Sequence, residues 1–192
     1  MSLDSRIEAF VELGYFFSSM KDSYKNELKK IESSNPWFTK ENVLVALDYW
    51  SIRLSAIFLK KWLYSYKVPE RSSSKKILIV MAGNIPMVGF HDLLSVLIYG
   101  YSAIIKMSSK DDILFTLIIN KLIKINTHFN NKIYFSDNIK LQGIDGVIAT
   151  GSNNTFHYFD YYFKDLPSII RKNKRSLAIL KGDESEKELI EL

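Results

Sequence analysis

Residues 76–109 most constrain what this chain can fold into. They read Lys76-Ile-Leu-Ile-Val-Met-Ala-Gly-Asn-Ile-Pro-Met-Val-Gly-Phe-His-Asp, then Leu-Leu-Ser-Val-Leu-Ile-Tyr-Gly-Tyr-Ser-Ala-Ile-Ile-Lys-Met-Ser-Ser109. Residues 77–81 form a short, continuous apolar run rich in β-branched side chains, the pattern of a strand buried on both faces of a parallel sheet. Gly83-Asn84-Ile85-Pro86 breaks the run, and Pro86, which cannot extend a central strand, suits the first turn of a helix. The spacing predicts a helix from there to about Tyr99, ended by Gly100, and a second buried strand over 102–106. Two parallel strands joined by one helix make a βαβ unit, right-handed in nearly all cases, with its ligand crevice at the carboxyl ends of the strands. Those ends carry Gly83, Asn84, Lys106 and Ser108.

Ahead of this unit, apolar residues recur at helical spacing over 2–20 and, more sparsely, through Tyr24, Leu28 and Ile31. Ser33-Ser-Asn-Pro36 is a break, after which Thr39 can cap one long helix through Val43, Leu47, Trp50, Leu54, Phe58 and Trp62 to about Tyr66. A helical stripe needs a face to bury, so these aromatic residues are expected to pack in the core. Residues 68–75 are polar and turn-prone, a linker. Beyond the central unit, Asp111 or Asp112 can cap a helix over 113–124, and 132–135 and 144–150 read as strands. Gly151-Ser152-Asn153-Asn154 opens a helix over 155–163, and 168–170 and 176–179 are further strand candidates. The expected fold class is α/β: a mainly parallel, Rossmann-like sheet with helices on both faces, preceded by N-terminal helices. The expected division is a helical segment over 1–67, the linker over 68–75, and an α/β domain over 76–192. Asp183 and Glu186 resemble a capping box for a last helix that stops without a Gly, Asn or Pro signal, so the chain is expected to be cut from something longer.

At 192 residues with 47% hydrophobic and 24% charged side chains, the chain has the composition of a globular protein with a substantial core. Its apolar runs fall short of the roughly 18 residues of a membrane span, and no signal peptide is visible. A cytoplasmic location without a membrane span is the resulting expectation. The formal charge of +5 admits anionic partners, but the cations are scattered among Asp and Glu. There is no cysteine, which excludes disulfides, thiolate metal ligands and a cysteine nucleophile within this sequence.

Three motifs, in order, carry a resemblance. Gly83-Asn-Ile-Pro86 with the helix after it, Ile104-Ile-Lys-Met-Ser-Ser109, and Gly146-Val-Ile-Ala-Thr-Gly-Ser152 resemble the cofactor-binding half of the aldehyde dehydrogenase superfamily. Within it, the sequence is most similar to bacterial acyl-CoA reductases of the LuxC type, which reduce a fatty acyl group to an aldehyde with NADPH. The resemblance covers roughly residues 76–182. It implies that Asn84 stabilises the oxyanion of the tetrahedral intermediate, a role suited to a neutral donor fixed by a tight turn. It implies that Lys106 contacts the adenosine ribose or a 2′-phosphate, and that Gly151 and Ser152 open a helix at the cofactor pyrophosphate. Met81, Ala82, Gly83, Ser108 and Thr150 complete the implied cofactor-binding set. Ser109 stands where many NAD-preferring relatives place a glutamate, and a serine does not repel a 2′-phosphate. The implied cofactor is NADP(H), ahead of NAD(H), and the implied substrate of the full protein is an acyl-CoA or other acyl thioester.

The sequence also departs from that pattern. The family's nucleophilic cysteine is absent, and residues 176–182 offer no carboxylate where the dehydrogenases carry a general base. A chain that lacks the thiolate cannot complete acyl transfer, so it is expected to be inactive alone. The competing readings are a basic module that binds nucleic acid or another anion without catalysis, and a catalytically inactive relative. Nucleic acid is disfavoured because no basic stripe occupies one face. No metal site is expected. His91 is expected to be packed or at the surface, and His157 and Asp160, one helical turn apart, to be a surface pair. A homo-oligomer is left open.

Overall fold

A computed structural model describes residues 1–136, 142–172, 177 and 179–190. The β-branched run forms β1 (Lys76–Val80); β2 (Ser102–Lys106), β3 (Ile133–Phe135), β4 (Gly146–Thr150) and β5 (Ser168–Arg171) join it in the order β3-β2-β1-β4-β5. Every pairing is parallel, so the expected α/β class with N-terminal helices is what the chain adopts. α5 (Phe90–Tyr99) carries the chain from β1 to β2, α6 (Asp112–Ile125) and a 3-10 turn (Thr127–Asn131) from β2 to β3, and α7 (Asn153–Tyr162) from β4 to β5. The chain works outward from β1 in one direction and then returns to its other side. The carboxyl ends of β1 and β4 therefore form a topological switch point.

Alternation along each strand divides the apolar side chains between two cores. Ile79, Met81, Ala103 and Ile105 face the larger one, beneath α5 and α6, while Leu78, Val80, Val147 and Ala149 face Phe159 and Phe163 at α7. The larger core continues into α1 (Leu3–Ser23), α2 (Lys25–Ser34), α3 (Lys40–Arg53) and α4 (Ala56–Leu63). Phe10 and Phe17 of α1 are fully buried and meet Phe129 and Phe90 edge-on, at ring separations of 5.8 and 5.5 Å. Such pairs add about 1 kcal/mol each to the area they bury. The buried Arg6 donates to the carbonyls of Ile98, Met1, Glu70 and Pro69, which ties α1 to the end of α5 and to the segment before β1. Burial pushes the pKa of its guanidinium down, with the charge of Glu70 opposing. Gly100, at φ 96°, ends α5 as expected, in the left-handed conformation that a side chain would resist.

Several boundaries differ from expectation. The long helix anticipated from Thr39 to Tyr66 is two helices, α3 and α4, bent by 69°. Leu54 leaves the helix and Ser55 adopts extended geometry, while Leu54 itself stays fully buried. The bend alters the fate of the aromatic residues: Phe58 is exposed, and Trp50 and Trp62 only skirt the core. No single described helix is long and apolar enough to cross a membrane; α3 and α4 together match one in length, but the bend interrupts them. The helix expected at Pro86 starts at Phe90, because residues 86–89 form turns around Met87, whose φ is 60°. Asp183 is not the cap of the final helix, α8 (Glu186–Ile190), which starts at Glu186. Glu184 instead closes a turn by accepting the N–H groups of Lys181 and Gly182. The strand expected over 176–179 falls largely outside the described residues.

Candidate functional site

At the switch point, the loops that follow β1 and β4 open side by side, because Val80 pairs with Ala149. The β1 loop is tightly held. Met81 is buried, and its N–H donates to the carbonyl of Lys106 at 3.0 Å. Ala82 is half-buried and Gly83 buried, whereas Asn84 is exposed and opens onto the carboxyl edge. A Cβ on Gly83 would lie 2.4 Å from Ser108 Oγ and 2.7 Å from Ser108 Cβ. The glycine thus allows the β1 loop to close against the β2 loop. Gly89 permits a close approach within the β1 loop itself, where a Cβ would lie 2.8 Å from Met81 Sδ.

The β2 loop supplies Lys106, Ser108 and Ser109. Lys106 is opposite Val80 in the parallel register and shares its alternation with Ile104, which packs against the α7 core. Its half-buried side chain therefore belongs to the α7 side of the sheet. Ser108 accepts the N–H of Lys110 at Oγ and that of Asp111 at its carbonyl, turning the chain into α6, and Ser109 is exposed beside it.

From β4, Thr150 is half-buried and pairs with Arg171. Gly151 passes close under α7: a Cβ there would lie 3.0 Å from the Phe159 ring and 3.1 Å from Thr155. Ser152 caps α7, its Oγ accepting the Thr155 N–H at 3.3 Å. The amides of residues 153 and 154 have no intrahelical acceptor, so the helix presents donors and the positive end of its dipole. A helix N-terminus with a lysine on the same side of the sheet, beside glycines that permit close approach, suits a phosphate-bearing nucleotide.

Two buried polar side chains that the sequence reading did not single out for this site organise these loops. Asn35, 3% exposed, donates from Nδ2 to the carbonyl of Gly83 at 3.3 Å and to that of Lys110 at 3.0 Å. It stitches the β1 and β2 loops to the break between α2 and α3. Asp111, also 3% exposed, stands at the start of α6 but makes no capping bond with its side chain. Its Oδ2 accepts the Met87 N–H at 3.2 Å, and its Oδ1 has no partner among the described residues. Burial pushes its pKa up to about 8 against the Met87 N–H, with the charge of Asp112 adding to the rise. The carboxyl is therefore neutral at pH 7 and secures Met87 in its left-handed conformation.

A third feature crosses the site from the α5 side. The buried Asp92 receives Arg171, from the end of β5, at 2.6 Å, and His91 Nδ1 lies 3.9 Å from its other oxygen. Burial would raise the pKa of Asp92, but these two partners hold it below the ordinary carboxylate range. His91 is exposed at the surface as expected, although aromatic rings flank it. His157 and Asp160 are both exposed, and the ring contact of His157 is with Phe156.

With this geometry in hand, comparison with known proteins is informative. The structure is similar to proline utilization A (PutA) from Corynebacterium freiburgense, with a TM-score of 0.63 and 11% identity over 91% of this chain and 19% of that one. It is also similar to the delta-pyrroline-5-carboxylate dehydrogenase from Mycobacterium tuberculosis, with a TM-score of 0.55 and 13% identity over 90% of this chain and 36% of that one. At such identities the likeness is one of fold, and the chain spans well under half the length of either protein. No curated protein sequence matches significantly. The model of the acyl-CoA reductase (LuxC) family matches residues 18–160. That span contains Asn35, both loops of the switch point and the start of α7, in agreement with the resemblance carried by the three motifs. The chain belongs to the acyl-CoA reductase (LuxC) family.

Proposed function

We propose that this chain is the NADP(H)-binding part of an acyl-CoA reductase that converts an acyl thioester to an aldehyde. The observation that carries the reading is the convergence, at one switch point, of the Gly83-Asn84 loop, Lys106 and the Ser152-capped start of α7. In this reading the pyrophosphate rests on the open amides of α7 at Gly151 and Ser152. Lys106 meets the adenosine ribose and its 2′-phosphate, with Ser109 leaving room for that charge. Met81, Ala82, Gly83, Ser108 and Thr150 line the path between them. Asn84 donates its side-chain N–H to the oxygen on which negative charge develops, and Asp111 and Asn35 hold its loop in place beforehand. The bound NADPH supplies the hydride.

The thiolate that accepts the acyl group must come from outside this sequence, which has no cysteine. The chain alone is therefore expected to bind cofactor without turning over. Emission from bound NADPH tests the cofactor role. Saturable enhancement on adding the chain, with binding weakened about tenfold in Lys106→Ala, is the expected result. Enhancement that is equal in the variant would contradict the ribose role, and its absence in both would contradict the cofactor role.

A further inference from the structure

The 69° bend between α3 and α4 opens a groove of about 500 Å³ against the first two turns of α5. This is within the range of small-molecule sites, and the groove includes none of the residues assigned above to the cofactor or to the oxyanion. His91 is flanked on its walls by Trp50 and Trp62, at ring separations of 6.2 and 5.9 Å. At the rim, the Arg53 guanidinium lies over the rings of Tyr49 and Phe58, 4.9 and 5.4 Å from their centroids, and Lys61 stands nearby. Among the described residues, neither Arg53 nor Lys61 has a carboxylate within ion-pair range. His91 is steadied from behind by Asp92, which Arg171 holds in turn.

We propose that this groove binds a purine nucleotide, with the base stacked on the Trp50, Trp62 and His91 rings and the phosphates on Arg53 and Lys61. Aromatic planes recognise the face of a base without regard to its sequence context. A guanidinium that already stacks on rings can still present its outer N–H fork to a phosphate. An acyl chain would use the aromatic walls but offer no counter-charge to the two cations, which have no carboxylate partner among the described residues. In the proposed reaction, the occupant is the adenosine bisphosphate end of a coenzyme A thioester, a point that rests on the acyl-CoA reductase reading, whereas the groove's preference for a nucleotide does not.

Two of the chain's three tryptophans line the groove, so intrinsic fluorescence reports binding directly. The probe is adenosine 3′,5′-bisphosphate, titrated into the chain and into Arg53→Gln. Saturable quenching, weakened about tenfold in the exposed Arg53→Gln variant, is the expected result. No quenching overturns the proposal. So does quenching that is equal in Arg53→Gln, because the nucleotide then lies elsewhere. Quenching by decanoate but not by the bisphosphate overturns it in favour of an acyl chain. NADPH emission that weakens in Lys106→Ala and is unchanged in Arg53→Gln reads the crevice alone, so failure of the cofactor reading is distinguishable from failure here.

Discussion

Asp111 accepts the backbone N–H of Met87 at 3.2 Å, although the two residues are 24 positions apart and neither belongs to a strand. Met87 is the non-glycine residue with positive φ among those described. Backbone geometry of this kind costs about 1–3 kcal/mol and persists where its surroundings enforce it. The loop that presents Asn84 is therefore set by a strained residue, a buried carboxyl and the two bonds donated by Asn35.

The neutral state of Asp111 has a consequence for pH. Its folded pKa of about 8 exceeds its ordinary 3.8, so the folded chain retains a proton that the unfolded chain releases. Stability from this group is full below about pH 4 and declines as pH rises to about 8, by at most about 1.4 kcal/mol per unit. Chemical denaturation of the wild type and Asp111→Asn across that interval isolates the effect. The difference between them should shift in favour of the variant as pH rises, and parallel profiles would contradict a buried neutral carboxyl.

Gly83 is required for space, since its φ lies outside the left-handed region. Gly83→Ala should cost about 1–3 kcal/mol by forcing the β1 and β2 loops apart. The Ser108→Gly change removes the two closest atoms, so the double variant should recover part of the loss in a double-mutant cycle. Additive losses would show that the loops are not in close contact.

Arg6 is fully buried, and carbonyl groups make up its hydrogen-bonding environment. Arg6→Met keeps much of the volume but leaves those carbonyls without a donor, at about 1–3 kcal/mol for each that water cannot reach. Hydrogen exchange should show α1 and the end of α5 losing protection together. Loss confined to α1 would mean that the guanidinium does not join the two.

The residues that made the fold legible are those whose partners are local or periodic. The β-branched run at 77–81 and the second strand pattern at 102–106 announced buried parallel strands, and Gly100, Thr39 and Ser152 marked their helix ends through contacts within a few residues. The bend after Leu54 was hidden because apolar spacing continues through it; Ser55, a residue type that favours helix starts, was the available signal. Asn35 and Asp111 were hidden for a different reason. Both bond to backbone groups far along the chain, and nothing in a sequence records which carbonyl or amide a distant side chain will meet. Arg171 and Asp92, 79 residues apart, are opaque in the same way.

The most direct test of the cofactor reading is a calorimetric titration of NADPH and NADH into the wild-type chain and into Ser109→Glu. Ser109 is exposed, so the substitution leaves the core untouched. The expected result is saturable binding that favours NADPH in the wild type and a shift of about tenfold or more toward NADH in the variant, because a carboxylate there repels the 2′-phosphate and accepts ribose hydroxyls. Binding of both cofactors with equal affinity, unchanged by Ser109→Glu, would contradict the assignment of the ribose to the end of β2.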